Sequence, residues 1–207
     1  MERTKDSIEG AVFGFLSVTI ALSAYTASII LFPGGYNFLK NMISELGVGP
    51  YGYIFNLGLI LSGIVVIPYY FALVNTFDDP DINPRLKKSA LFFSLFSVIT
   101  FIFIGVFPAI EGNYIISYAH GTFALLAMSF GVGYLISFSV LMLKDSKYTK
   151  PQVYHGFIVA STYFLFLLTW IPITEWIATF AISSWIISNS LFMVLKEKFV
   201  ENNGEIK

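Results

Sequence analysis

The residues able to do acid–base, nucleophilic or metal chemistry in this 207-residue sequence are few: thirteen Asp or Glu, two His and no Cys. The missing cysteine excludes thiolate catalysis, disulfides, cysteine-ligated zinc and iron–sulfur clusters. Sorting the carboxylates by position isolates three, Glu45, Glu111 and Glu175, which stand apart from the other ten and from nearly all the basic residues. His120 falls about one turn into an apolar segment on that same side, with Asn41, Ser44, Asn56 and Asn113 at the same level. Ionisable groups at the edge of hydrocarbon are costly and mark a functional site by default. The pair most suited to chemistry is Glu45 with His120, since a carboxylate can fix the imidazole tautomer and leave the other ring nitrogen as a base. Ser44 is then the candidate nucleophile. Its neighbour Glu45 diverges from it by about 100° on a helix, so the two cannot point equally at His120. Asn41, Asn56, Glu111 and Glu175 complete a candidate polar pocket for a lipid headgroup.

Motifs with specific spacing are absent. The sequence has no G-x-S-x-G elbow, no H-E-x-x-H and no paired aspartates at metal spacing, so neither a metal nor a cofactor is expected. His155 lies near the opposite end of its segment, roughly 25 Å from His120 at 1.5 Å rise per residue. The two cannot share a haem or a metal, and His155 reads as an interfacial hydrogen-bonder.

The elements that must position these groups follow from composition. Hydrophobic residues make up 56% of the chain and charged residues only 12%, with a mean hydropathy of +0.74. A soluble domain carries about 25% charged residues, so disorder, coiled coil and ordinary soluble enzymes are excluded. A net charge of −1 leaves no basic face for nucleic acid. Six segments free of Asp, Glu, Lys and Arg are long enough to cross a bilayer: residues 10–31, 53–77, 90–110, 115–143, 153–173 and 176–195. The expected fold is an all-α polytopic bundle of six transmembrane helices forming one domain over 1–207. Nothing at the start has the pattern of a cleavable leader.

Eleven of the twelve basic residues fall on one side of these spans, with Lys40 the exception. That asymmetry predicts cytoplasmic N and C termini and a multi-pass protein of the cell membrane. The one long external connection, 32–52, has helical periodicity over Tyr36–Leu46: Phe38, Leu39, Met42, Ile43 and Leu46 share one face, and Lys40, Asn41, Ser44 and Glu45 the other. It predicts a short amphipathic helix in the outer interface. Small residues at Gly10/Gly14, Gly58/Ser62 and Ala127/Gly131 predict close helix contacts. Pro68 predicts a kink, Asn75 and Asn189 interhelical hydrogen bonds, and Trp170 and Trp176 an outer aromatic belt. Pro33, Pro108 and Pro172 are expected to close the odd-numbered spans, with span five turning into span six at Thr174-Glu175.

The segment FPGGYNFLKNMISELGVGPYGYIFNLGLILSG resembles the prokaryotic membrane proteins grouped as domain-of-unknown-function family 998. Its signatures are Ile43-Ser44-Glu45-Leu46-Gly47, Asn56, Gly105-Val106-Phe107-Pro108 and His120. The order of features is also remotely similar to the six-span DRAM/Frag/Sfk group, which has Asp where Glu45 stands. The resemblance implies six helices with cytoplasmic termini, and through the remoter group a link to membrane lipid organisation. Three functions are compatible: a protein binding or acting on a membrane lipid at an outer-leaflet pocket, a non-catalytic scaffold or partner-binding protein, and a carrier of a small neutral or lipid-like molecule. Membrane lipid is the expected partner. A homo-oligomer is left open, and no soluble partner can be inferred.

Overall fold

The computed structural model describes the backbone of residues 2–110 and 112–204 and the side chains of 7–110 and 112–195. Glu111, and the basic residues of both tails that enter the charge asymmetry, lie outside the described side chains. Six α-helices follow in order: α1 (Glu2–Ile30), α2 (Gly52–Asn75), α3 (Pro84–Val106), α4 (Tyr114–Lys144), α5 (Lys150–Thr169) and α6 (Pro172–Gly204). Each contains a stretch long and apolar enough to cross a membrane, from 20 residues in α5 to 31 in α4. Helices satisfy every backbone polar group within the segment, which hydrocarbon demands.

Neighbours in sequence are neighbours in space. Each helix packs on the next, and α6 returns to pack on α1, so the six close into a ring. Glycines set the α1–α2 approach: a Cβ on Gly10 would strike Ala72, and one on Gly58 would strike Ala24. These are two of the positions where small-residue spacing predicts close contact. The start of α1, the end of α6 and the loops at 76–83 and 145–149 occupy one end of the ring (the termini end), and loop 31–51 covers the other (the cap end).

Helix boundaries depart from the expected spans at prolines. Residue 107 leaves the helical region because Pro108 follows it, so α3 stops at Val106 rather than running to 110. Pro172 does not close span five. α5 ends at Thr169, Trp170 turns left-handed at φ 49°, and Pro172 opens α6, where a missing N–H costs nothing. Glu175 therefore stands in the first turn of α6 and not in a turn before it. α2 remains helical through Pro68.

The expected amphipathic helix over 36–46 is not formed; a 3-10 helix, Ile43–Gly47, takes its place. Two carboxylates capture amides that a helix over 36–46 would use: Glu45 Oε1 accepts from Met42 N at 2.8 Å, and Glu175 Oε2 from Ile43 N at 2.7 Å. Bonds from backbone to side chain compete directly with helix. Phe38 and Leu39 consequently stay exposed, while Ile43 and Leu46 are buried. Asn189 also departs from expectation, since its amide bonds Trp185 O within α6 rather than a neighbouring helix. Asn75 faces outward.

Candidate functional site

Of the groups gathered by position in the sequence, Asn41, Glu45, Asn56 and Glu175 lie at the cap end, where they bond to loop 31–51. Glu45 turns back on its own segment: Oε1 accepts from Met42 N at 2.8 Å and Oε2 from Asn41 Nδ2 at 2.7 Å. Glu175 reaches across from α6 and accepts from Ile43 N at 2.7 Å, with the Ser44 amide also directed to it. Asn56 of α2 donates to Gly47 O at 2.9 Å. Gly47 is required there, because a Cβ would lie 2.5 Å from Asn56 Oδ1. Trp176 Nε1 donates to Tyr36 OH at 2.9 Å, and Tyr36 OH donates to Asn41 O at 2.9 Å. Trp176 is thus a buried clamp rather than a belt residue, while Trp170 keeps its exposed position. Burial, and then the carboxylates Glu175 and Glu45, hold the Tyr36 phenol well above its usual range, against the opposing effect of its Trp176 bond. Within Ile43-Ser44-Glu45-Leu46-Gly47, Ile43 and Leu46 plug the ring with apolar side chains, and Ser44 offers its amide to Glu175. Glu45 caps the segment with its carboxylate, and Gly47 makes the close contact with Asn56.

His120 works elsewhere. Its Nδ1 lies 2.8 Å from Phe107 O, and a carbonyl can only accept, so Nδ1 carries the proton and donates. The buried ring ties the end of α3 to α4. Among the described residues no hydrogen bond joins Glu45 to His120, and the Ser44 hydroxyl bonds neither. His155 bonds Ser184 Oγ at 3.0 Å across the α5–α6 seam. Among the described residues no cluster of three His, Asp or Glu is placed to hold a metal.

Sequence reasoning missed a second site. Residues from all six helices surround a cavity of about 110 Å³ within the ring. Its polar wall comprises Tyr25, Tyr70, Tyr134 and Tyr163 with Ser17, Ser62, Ser97, Thr179 and Ser183. Four serine hydroxyls donate to backbone, namely Ser17 to Ser62 O at 2.9 Å, Ser62 to Leu59 O at 3.1 Å, Ser97 to Ala127 O at 2.8 Å and Ser183 to Thr179 O at 2.8 Å. Their lone pairs remain as acceptors. The phenols of Tyr70, Tyr134 and Tyr163 lie within interaction range of one another and supply donors. Among the described residues no charged side chain and no histidine lines the space. One signal was present in the sequence: Ser17 and Tyr25, and likewise Ser62 and Tyr70, are eight residues apart, about two helical turns and hence on one face.

A closed ring of six membrane-length helices, capped by one loop and hollow at a tyrosine-lined centre, defines a polytopic integral membrane protein. The chain belongs to the family described as Protein of unknown function (DUF998), whose model matches residues 15–191. That range takes in both the cap and the cavity. No curated protein and no solved structure matches the chain.

Proposed function

We propose that the protein binds a small uncharged or lipid-like molecule inside its helical ring, as a carrier or membrane-embedded receptor, with its termini in the cytoplasm. The cavity walled by four tyrosines and the serine hydroxyls carries this reading. Its donors and acceptors without charge suit a ligand with a hydroxyl or carbonyl on an apolar body. An apolar cavity of about 150 Å³ takes up benzene, so 110 Å³ suits a small ring or one segment of a longer lipid. A wall without carboxylate or imidazole favours binding over bond-breaking.

An outer-leaflet headgroup pocket is less favoured, because Asn41, Glu45, Asn56 and Glu175 are engaged in fastening the cap. The same fastening favours the scaffold reading as second choice. The two separate by solvent extraction and mass spectrometry of the purified protein. Ser183→Leu fills the cavity while removing only a bond within α6. A molecule that co-purifies with wild type and is lost from Ser183→Leu supports binding in the ring. Equal content in both, or none in either, supports the scaffold.

A further inference from the structure

Below the cavity, towards the termini end, α6 carries three polar atoms that find no partner among the described residues: Trp185 Nε1, Asn189 Oδ1 and Ser190 Oγ. Tyr69 OH on α2 is a fourth. All four residues are at most 2% exposed. Buried polar atoms in folded proteins are nearly always satisfied, and hydrocarbon offers no alternative partner. Four such atoms on α6 and α2, the two helices that flank α1, call for an occupant.

Their placement continues the cavity wall. Ile186 of α6, Ser17 of α1 and Tyr70 of α2 line the cavity; Asn189 and Gly14 lie one turn further towards the termini end, and the Tyr69 ring packs against Gly14. Bare Gly14 admits two of the four: a Cβ there would strike Ser190 Oγ and lie 2.7 Å from Tyr69 Cδ2. On the opposite flank Trp185 Nε1 would lie 3.1 Å from a Cβ on Gly156 of α5. The set offers an indole donor, an amide acceptor and two hydroxyls that do both, with no charge. That inventory fits water, which bridges two to four polar groups in such sites.

The two ends differ in what closes them near these groups. At the cap end Ile43, Leu46, Phe55 and Trp176 make an apolar plug. Towards the termini end this sector holds Met193, itself fully buried, whose methyl would be 3.3 Å from a Cβ on Gly10. A methionine is flexible and readily repacks.

We propose that Tyr69, Trp185, Asn189 and Ser190 form a water-binding site, through which the central cavity is reached from the termini end between α1, α2, α5 and α6. The purpose of this path rests on ligand binding in the ring; its existence does not. The chain has no cysteine, so a single introduced thiol reports without background. Ser190→Cys is nearly isosteric, and Asn189→Cys reads the same level if Ser190→Cys fails to accumulate. Leu135→Cys, in the apolar core at 0% exposure, is the dry reference. Each full-length variant, in vesicles of known orientation, is treated with a membrane-impermeant cationic methanethiosulfonate. A hydrated site predicts modification from the termini side at least about tenfold faster than at Leu135→Cys, because thiol reactivity tracks exposure and thiolate character. Modification at the Leu135→Cys rate, or only from the cap side, overturns the proposal. Loss of the co-purified molecule from Ser183→Leu leaves this outcome unaffected, so the two readings fail separately.

Discussion

At the cap end two carboxylates, Glu45 and Glu175, are met by backbone amides and Asn41, whereas at the termini end Lys147 reaches two carboxylates, Asp78 and Asp145. Lys147 also donates to Thr76 O at 3.1 Å, and Tyr148 OH lies 2.6 Å from Thr76 Oγ1. The termini-end network cross-links loops 76–83 and 145–149 and so binds the α2–α5 side of the ring. The cap network binds loop 31–51 to α2 and α6. The cap carboxylates are thus met by neutral donors, Glu175 from the first turn of α6. A closure of that kind is directional and insensitive to salt; an ion-paired one is neither.

Removing Glu175 should have the largest effect. Glu175→Ala strands the buried Ile43 amide at a cost of about 2 kcal/mol, read by thermal unfolding in detergent, and opens loop 36–41 to protease. Glu175→Gln retains an acceptor and should recover much of the loss. Equal damage from both would show that charge, not hydrogen bonding, holds the cap. Tyr36→Phe deletes the hydroxyl between Trp176 and Asn41, for about 1 kcal/mol. Lys147→Met should cost about 0.5 kcal/mol at low salt and less at high salt, since the ammonium is partly exposed.

Lys147 also gives the termini end a pH signature. Burial lowers its value, but Asp78 and Asp145 outweigh that and raise it above 10.5. A raised ammonium stabilises the fold fully below its unfolded value and loses that contribution as pH climbs through the folded one. Wild type should therefore lose more stability than Lys147→Met above about pH 10.5; parallel losses would remove Lys147 from the account. Smallest of all, Ser44→Ala should change stability by less than about 0.5 kcal/mol and leave the co-purified molecule in place, because only the Ser44 amide serves the cap.

The six spans were legible because hydrocarbon imposes length and composition at once. Their ends were not, since Pro108 stops a helix one residue early through its neighbour while Pro172 starts one. Sorting charges by side found Glu45, Glu175, Asn41 and Asn56, which do gather at one end. It could not tell fastening from binding, because that depends on which amides Glu45 and Glu175 capture. The pairing of Glu45 with His120 failed for a related reason: a histidine one turn into α4 has a carbonyl freed by Pro108 within reach. The cavity was hidden because its tyrosines sit on four helices whose circular order no single segment encodes.

The most direct measurement is an experimental density map of the protein in bilayer nanodiscs made from its native membrane. Binding within the ring predicts extra density contacting Tyr70, Tyr134 and Tyr163. Density against Glu45 and Asn41, with the ring interior closed, would contradict it.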